Sequence, residues 1–279
     1  MPDRVAVIGE STVQHGPANN RVYLMHLSAG DMHGMPGLLI ELAGRRGYTK
    51  VIARVPAQAL DGFLREGYHV EATVPGLYRG REDGFFVARF LDAERASDPS
   101  AGVDRSLLGR ETSERCRDLP DGFQVREARP EDAAAVAHLY AETFVTYPFP
   151  IGDPDHIRKV MAEDVRFFVV VRDGRIVAAS SAEMDCTGEN VEMTDFAVRQ
   201  DCRGLRLSAA LLQVMEEEMV ARGMKTAYTI CRAGWYPINR LFAGAGYRYG
   251  GTLVRNTQIC GRCESMHVWY RPLRGSQKG

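Results

Sequence analysis

The sequence lacks the features of a membrane-spanning, disulfide-rich or nucleic-acid-binding protein. None of its apolar runs approaches the length of a membrane span, and the apolar stretch after Met1 is too short for a signal peptide. Lys and Arg number 35 against 36 Asp and Glu, and this near balance argues against a binder that relies on a large basic surface. Six cysteines are too few for a disulfide scaffold, so we expect free thiols and a cytoplasmic protein.

Two of these cysteines, Cys260 and Cys263, form a lone CxxC motif. A zinc site normally needs two further ligands at a matching spacing, and the neighbouring sequence does not supply them. We therefore expect no bound metal, and we interpret the motif as a turn between two antiparallel strands.

The 279 residues suit two domains, each large enough for its own core. Residues 1–92 predict a compact α/β unit, with strands near 21–27, 51–55, 69–74 and 85–90 and helices at 35–47 and 57–65. Residues 93–120 are rich in charged and small side chains, which predicts a linker that is mobile unless it docks. Residues 121–272 form the second predicted domain, and residues 273–279 a tail.

The second domain contains a strand, a glycine turn and a helix in succession. The strand at 191–198 leads through Gly204 into a helix that ends at Gly223 and buries Leu207, Leu211, Met215 and Met219. The first turn of a helix carries free N–H groups and the positive end of the helix dipole. Glycine lets the backbone approach a phosphate closely, so this segment predicts an anion site.

A second motif follows, in which Lys225–Ile230 predicts a strand and Asn239–Tyr247 a short helix and a Gly-Tyr turn. With the glycine turn in front of it, residues 123–271 resemble the GNAT family of acetyl-CoA-dependent N-acetyltransferases. Four further segments resemble the beta-lysine N-acetyltransferase branch of that family: Glu192–Ala197, Tyr249–Leu253, Glu264–Tyr270 and Gly9–Gly16. The last of these segments extends the resemblance to the N-terminal part of the chain.

The resemblance implies an α/β (α+β) GNAT acyltransferase fold, with a mixed, mostly antiparallel sheet flanked by helices. The N-terminal unit shows the same order of motifs, since Lys50–Ala53 matches Lys225–Tyr228 and Phe63 precedes a Gly-Tyr pair as Phe242 does. We therefore expect a smaller, degenerate GNAT-like half-domain, with chance recurrence of this order as the alternative. It lacks the glycine turn, so we do not expect it to bind coenzyme.

By the same resemblance, acetyl-CoA is the co-substrate, and its pantetheine pairs with the free edge of a bulged strand. In the family, the glycine turn usually has glycine or alanine at the position where this chain has Arg206. This arginine either crowds the pyrophosphate or points outward and pairs with the phosphates, and we favour the second reading. Asn239 is assigned to the pantetheine, with a solvated helix position as its alternative. The expected coenzyme-binding residues are Phe196, Ala197, Val198, Arg203, Gly204, Leu205, Arg206, Leu207, Ser208 and Asn239.

Acetyl transfer also requires that the acceptor amine lose a proton, because a lysine-type amine is mostly protonated at neutral pH. Glu192 is our first choice as general base and Asp195 our second. Alternating side-chain direction places Asp195 on the opposite strand face, unless the bulge redirects it. A solvated or hydrogen-bonded acid without a catalytic role is the alternative for each.

The leaving thiolate needs a proton, and in the family a tyrosine in the short helix often provides it. Phe242 occupies that position here and has no proton to donate. The role then falls to Tyr236 or Tyr249, or the thiolate leaves unassisted. We choose Tyr236, and its alternative role is aromatic packing beside Trp235.

The branch resemblance implies acetylation of the N6 amine of beta-lysine, by direct attack on the thioester, to give the compatible solute N6-acetyl-beta-lysine. The alternatives are an acetyltransferase for another small amine or a protein lysine, and a non-catalytic acyl-CoA-binding sensor. We expect a small-molecule diamino acid as partner and neither nucleic acid nor membrane. Homodimerisation is left open.

Overall fold

The computed structural model describes residues 3–108, 119–259 and 261–273, and its strands form one 13-stranded sheet. The strands are β1 (Arg4–Ile8), β2 (Ser11–Gly16), β3 (Arg21–His26), β4 (Lys50–Pro56), β5 (His69–Tyr78), β6 (Glu82–Phe90), β7 (Phe123–Glu127), β8 (Val165–Arg172), β9 (Arg175–Asp185), β10 (Asn190–Val198), β11 (Thr226–Arg232), β12 (Arg248–Ile259) and β13 (Arg262–Pro272). The α-helices are α1 (Met35–Arg46), α2 (Ala57–Arg65), α3 (Ala133–Thr143), α4 (Pro154–Met161), α5 (Leu207–Ala221) and α6 (Tyr236–Gly244).

The sheet consists of two halves with the same succession of elements. The N-terminal half contributes the strand order β1-β2-β3-β4-β6-β5, and the C-terminal half continues it as β12-β13-β11-β10-β9-β8-β7. Each half contains one parallel pair, β3–β4 and β10–β11, whose strands are connected through α1 and α5 respectively, and all other pairs are antiparallel. The halves meet at β5 and β12 through the pairing of Ala72 with Gly251. This arrangement confirms the predicted mixed, mostly antiparallel sheet flanked by helices.

The two halves also share a core, because one face of each half-sheet packs against the other. Ile52 and Phe86 of the N-terminal half contact Tyr228, Leu253 and Val268 of the C-terminal half, and all five are buried. Removing such apolar surface from water stabilises the contact by about 25 cal/mol per Å². The halves therefore lie against each other as parts of one folded unit.

A buried ion pair lies in the same contact region. Lys50 Nζ is 2.7 Å from Glu71 Oε2, and both side chains are almost fully buried. Lys50 also donates to the carbonyl of Val254 at 2.7 Å, and Glu71 Oε1 accepts from the Val254 N–H at 2.9 Å. Burial lowers the pKa of Lys50 to about 8, although Glu71 opposes the change. The pair ties the N-terminal half to β12 by charge and by hydrogen bonds.

The helices begin and end near the residues that the sequence indicated. Gly47 and Gly223 follow α1 and α5 with φ angles of 68° and 86°, the left-handed conformation that ends many helices at glycine. Along α5, all four apolar residues predicted to be buried are buried. Glu216 lies on the same helix, where a charged residue is usually expected to face water, but it is half-buried and pairs with Arg271 at 2.9 Å. Its position above the last strand gives it a partner that the helix pattern alone did not reveal.

The described part of the predicted linker is docked. Arg95 is buried and donates to the carbonyl oxygens of Asn19 at 2.8 Å and Arg255 at 2.9 Å, so it bridges the two halves. Leu107 enters the core of the C-terminal half. Residues 109–118 of this segment lie outside the described residues.

Two further findings refine the sequence reading. Strands β1 and β2 precede the elements that we expected, and they extend the N-terminal half by an antiparallel hairpin. The CxxC segment falls at the connection between antiparallel β12 and β13, with Ile259 opposite Arg262, as predicted; Cys260 itself lies outside the described residues. Within the described ranges, no helix is both long and apolar enough to cross a membrane.

Candidate active site

A cleft opens where two parallel strands of the C-terminal half diverge. Strand β10 pairs with β11 from Asn190 to Glu192, and in the described chain this pairing ends where Glu192 faces Tyr228. Beyond that point the strands separate around a cleft of about 1720 Å³, which is bounded by β10, β11, α6 and the start of α5. The cleft is large enough for an elongated ligand and exposes one backbone edge of β10 to it.

A bulge shapes the exposed edge. The register between β10 and β9 shifts between Thr194 and Ala197, and Asp195 within the shift has a φ of 57°. The side chains of Phe196 and Val198 line the cleft, whereas Ala197 packs into the core beside α3. The side chain of Ala197 is therefore turned away from the cleft, so a role for this residue in coenzyme binding rests on its backbone.

The glycine turn leads into α5 at the opposite end of the cleft. Gly204 has a φ of 83°, and a Cβ placed there would meet no atom within 4 Å, so the turn is open. Arg203, Arg206 and Ser208 line the cleft beside the N-terminus of this 15-residue helix. Free N–H groups, two cations and an open turn suit the phosphates of coenzyme A. Leu205, also predicted for this site, is partly exposed but does not line the cleft.

Arg206 precedes α5 in the left-handed conformation, with φ 59° and ψ 21°. That conformation favours glycine, which gives a physical reason for the residue that the family usually has here. An arginine pays a local backbone cost of about 1 kcal/mol at this position. Its side chain is exposed along the cleft, where it adds positive charge beside the helix terminus.

Asn239 does not face the cleft. Its side chain is buried, and its amide nitrogen donates to the carbonyl oxygens of Arg232 at 2.9 Å and Trp235 at 3.0 Å. Its amide oxygen accepts from Trp269 Nε1 at 2.9 Å. These contacts hold the turn between β11 and α6, so they correct both the expectation that Asn239 binds pantetheine and the alternative of a solvated helix position.

Glu192 lies at the point where the strands separate. Burial raises the pKa of Glu192 to about 7, against the opposing effects of Arg54 and of the Tyr228 hydroxyl. A carboxyl group with a pKa near neutrality is suited to accept a proton at physiological pH, because both of its forms are accessible. Arg54 comes from β4 of the N-terminal half, and the sequence reading did not identify it.

Asp195 is held within a hydrogen-bond network inside the bulge. Its two carboxylate oxygens accept from Ser181 Oγ at 2.6 Å and from the hydroxyl of Tyr147. Burial raises the pKa of Asp195 even though these two donors lower it. Tyr147 comes from the segment between α3 and α4, and no motif in that segment indicated it. The left-handed φ of Asp195 turns it towards these partners, and both Asp195 and Tyr147 line the cleft.

A third carboxyl group, Glu183, lies beside Glu192. The two residues are direct neighbours in the β9–β10 register, so their side chains share one face of the sheet. Burial, together with the charges of Glu192 and Asp195, raises the pKa of Glu183 well above its usual value, although its side chain remains accessible to solvent. Glu183, Glu192 and Asp195 form what we call the carboxyl cluster, and its mutual repulsion favours a cationic ligand.

The tyrosines predicted as acids are in different environments. Phe242 is fully buried and packs edge-on against Phe196, with ring centroids 5.6 Å apart. Tyr236 is 46% exposed and lines the cleft, as does its neighbour Trp235, which is 50% exposed. Tyr249 bonds to Thr252 and packs against His267 and Trp269, away from the cleft lining. Of the two candidates, Tyr236 alone has its ring at the cleft.

Metal ligands are not grouped in this site. Across the described ranges, no cluster of three or more His, Cys, Asp or Glu side chains has an arrangement that would hold a metal ion. The carboxyl cluster is instead surrounded by hydroxyl groups and one guanidinium.

Comparison with known proteins agrees with this geometry. The family model described as Acetyltransferase (GNAT) family matches residues 133–247. The chain is similar to the beta-lysine N(6)-acetyltransferase of Methanococcus maripaludis, with 34% identity over 96% of this chain and 98% of that protein. The protein of the same name from Methanosarcina mazei is 29% identical over 88% of this chain and 98% of its own length.

Among solved structures, the ribosomal-protein-S18-alanine N-acetyltransferase of Escherichia coli aligns with 56% of this chain and 97% of its own, with 16% identity and a TM-score of 0.48. The family model covers the diverging strands, the glycine turn and α6, which together form the cleft. The full-length likeness to the Methanococcus protein includes the N-terminal half as well. The chain therefore belongs to the GNAT family of N-acetyltransferases.

Proposed function

We propose that this N-acetyltransferase uses acetyl-CoA to acetylate the N6 amine of beta-lysine, giving the compatible solute N6-acetyl-beta-lysine. The observation that carries the proposal is the position of Glu192, whose pKa is about 7, at the end of the β10–β11 pairing. Glu192 lies outside the lining of the coenzyme-sized cleft, but Asp195 of the carboxyl cluster lines it. The names of two full-length relatives support beta-lysine as the acceptor. The proposal includes a cytoplasmic enzyme that needs no metal, which fits the sparse cysteines of the sequence.

Binding of the coenzyme is assigned to one face of the cleft. The unpaired edge of β10 at Phe196 and Val198 offers backbone groups to pantetheine, and Arg203, Gly204 and Arg206 receive the phosphates. Acetyl-CoA supplies the acetyl group as a thioester. The backbone N–H groups of β10 beside the bulge are positioned to stabilise negative charge on the thioester oxygen.

Proton transfers are assigned to two side chains. Removing the proton from a lysine-type ammonium costs about 4–5 kcal/mol at pH 7. Glu192 accepts this proton directly or through water, while Asp195, fixed by Tyr147 and Ser181, keeps the amine end of the cleft negative. Tyr236 donates a proton to the leaving sulfur at the cleft mouth. No covalent enzyme intermediate is required.

The test is acetyl-CoA-dependent thiol release by the purified protein with beta-lysine, alpha-lysine, spermidine or no acceptor. We expect a strong preference for beta-lysine and a product mass that shows one added acetyl group. Comparable turnover of spermidine or alpha-lysine would discard beta-lysine as the specific acceptor. Binding of acetyl-CoA without release on any amine would favour a non-catalytic sensor.

A further inference from the structure

We propose that the acceptor site is shared by the two halves: Arg54 of the N-terminal half binds the acceptor carboxylate, and Glu183 binds the ammonium that is not acetylated. The inference rests on the proposed function and deepens it, because it makes the site selective for diamino acids over diamines and over amino acids with a single amine. Both residues lie outside the coenzyme cleft lining, and they affect the transfer steps above only through the charges that they place near Glu192.

The contacts of Arg54 leave much of its hydrogen-bonding capacity unused. One Nη donates to the Tyr228 hydroxyl, and the other is 3.9 Å from Asp185 Oδ2, too far for a hydrogen bond. Nε is buried and has no partner in the structure, and the side chain as a whole is 14% exposed. A guanidinium has five donors, and burying one without acceptors is costly, so this group is suited to a ligand with a planar pair of oxygens.

The surroundings of Arg54 favour a carboxylate over a larger anion. Its guanidinium carbon lies 5.8 Å from the Tyr228 ring centroid, and Phe86 packs against the same tyrosine at 6.2 Å. The rings of Tyr23 and Tyr78 belong to the same core. A flat, partly aromatic site of this kind orients the guanidinium plane, and a carboxylate matches that plane through two parallel hydrogen bonds.

The sheet register places the ammonium site and the carboxylate site at opposite ends of one row, with Glu192 between them. Glu183, Glu192 and Tyr228 occupy one row across β9, β10 and β11, and Arg54 contacts the last member of that row. Neighbouring strands are about 4.8 Å apart, so the row extends over about 10 Å, comparable with the length of a short diamino acid. Two carboxylates directly opposite each other repel, and an ammonium beside Glu183 relieves the repulsion.

Charge balance supports the same assignment. Burial raises the pKa of both Glu183 and Glu192, and the charge of Arg54 lowers the pKa of each, so the three groups lie within electrostatic reach. A ligand with two ammonium groups and one carboxylate places a charge of opposite sign beside Arg54, Glu183 and Glu192. A simple diamine leaves Arg54 with only the Asp185 carboxylate, 3.9 Å away, and a monoamino acid brings no ammonium to Glu183.

The experiment uses the full-length protein and two truncated acceptors. Removal of the carboxylate from beta-lysine gives 1,4-diaminopentane, and removal of its second amine gives 6-aminohexanoate. For the unmutated enzyme we expect kcat/KM to fall by on the order of 100-fold with each truncated acceptor. The variants are assayed at about pH 9, well above the pKa of Glu192, so that a change in that pKa does not limit turnover. There Arg54→Gln should raise KM for beta-lysine by a similar factor and leave kcat/KM for 1,4-diaminopentane within about threefold. Glu183→Gln should raise KM for beta-lysine by a similar factor and leave kcat/KM for 6-aminohexanoate within about threefold.

Matched controls separate these effects from misfolding. Arg89→Gln and Glu163→Gln change the same residue types at positions without a proposed role, and their kinetics should match those of the unmutated enzyme. Arg54→Lys keeps the charge but loses the paired geometry, so it should recover part of the loss. Thermal melting and acetyl-CoA affinity, which should not change, report on folding of each variant.

Distinct outcomes test the two levels of the proposal. If the unmutated enzyme does not acetylate beta-lysine, the proposed function is wrong. If it does, but handles the truncated acceptors equally well, the shared site is wrong whether or not the variants fold. If the folded Arg54→Gln variant loses the same factor of kcat/KM with beta-lysine as with 1,4-diaminopentane, Arg54 does not bind the carboxylate. If the folded Glu183→Gln variant loses the same factor with beta-lysine as with 6-aminohexanoate, Glu183 does not bind the ammonium.

Discussion

The two halves of the sheet have the same order of elements, but a coenzyme-sized cleft is found in the C-terminal half. In the N-terminal half, residues Arg21–Leu24 of β3 pair with residues Lys50–Ala53 of β4. Helix α1 begins with the buried residues Met35 and Pro36. In the C-terminal half the equivalent strands diverge after Glu192, and α5 begins at an open glycine turn. The difference shows that this topology forms a cleft where its two parallel strands separate.

The side chains at equivalent positions of the two halves also differ. In the N-terminal half Leu24 pairs with Ala53. At the equivalent position of the C-terminal half, Glu192 pairs with Tyr228. Leu24 is fully buried in an apolar core. The N-terminal half therefore has no acid at this position, and we assign it the role of supplying Arg54 to its neighbour.

The largest expected effect tests whether the acid at this position performs the chemistry. Glu192→Gln should lower kcat by about 100- to 1000-fold, the range that general-base catalysis contributes, with little change in acetyl-CoA affinity. A base works in its ionised form, so for the unmutated enzyme kcat/KM should rise with pH up to about 7. The variant should lack that dependence. Steady-state kinetics between pH 5.5 and 9 measure both, and unchanged turnover would remove Glu192 from the base role.

The next effect tests whether the halves are one cooperative unit. Glu71→Ala leaves Lys50 buried without its partner and should lower the free energy of unfolding by about 3–5 kcal/mol. Both tryptophans, Trp235 and Trp269, lie in the C-terminal half. Their fluorescence during urea unfolding should therefore shift together with the circular dichroism of the whole chain.

The double variant Lys50→Met, Glu71→Leu is the control, because it removes both charges and should recover most of the lost stability. The halves unfold independently if two results coincide in Glu71→Ala. The urea midpoint of the fluorescence transition would stay unchanged, and the circular dichroism transition would split into two.

A smaller effect concerns the acid at the mouth of the cleft. Tyr236→Phe should lower kcat by about tenfold, because general-acid assistance to the thiolate is lost while the ring remains. Tyr249→Phe serves as the matched control and should leave kcat unchanged, since its hydroxyl bonds to Thr252 away from the cleft lining. Equal losses in the two variants would contradict the assignment, and so would a loss in Tyr249→Phe alone.

The smallest effect concerns the start of α5, where the two halves differ most. Arg206→Gly should leave acetyl-CoA affinity equal or lower it by up to about tenfold, because a charge beside the phosphates is removed. The same change should raise the free energy of unfolding by about 1 kcal/mol, since glycine adopts a φ of 59° without strain. Calorimetric binding and thermal melting separate the two results. A sharp rise in affinity would show that Arg206 obstructs the coenzyme.

Much of the architecture followed from local patterns in the sequence. An Asp-Gly pair between two apolar runs predicts a tight hairpin turn, and Asp173 and Gly174 between β8 and β9 both have the positive φ angles that this turn type requires. The spacing of apolar residues located the buried face of α5. The glycine turn located the helix terminus that borders the cleft. These features depend on neighbours within a few residues, and local sequence is informative about them.

The residues that were missed or misassigned depend on contacts between distant segments. In the sequence, Arg54 has the pattern of an ordinary strand residue, and its contact with Tyr228 depends on the packing of β4 over β11. Tyr147 reaches Asp195 from a segment 48 positions away. Asn239 has the pattern of a surface helix residue, but Trp269 from the last strand covers it. Identifying any of these requires knowing which sheet face meets which, and one sequence does not contain that information.

The opposition of Glu183 and Glu192 across two strands has a consequence for calorimetry. Near neutral pH, a cluster of carboxyl groups with raised pKa values holds protons that isolated side chains have already lost. An acceptor whose ammonium groups enter the cluster stabilises the ionised carboxylates, so protons leave as it arrives. The heat of acceptor binding should then vary with the ionisation enthalpy of the buffer. We therefore expect ligand capture to be an exchange reaction, with hydrogen ions released to solution as the second product.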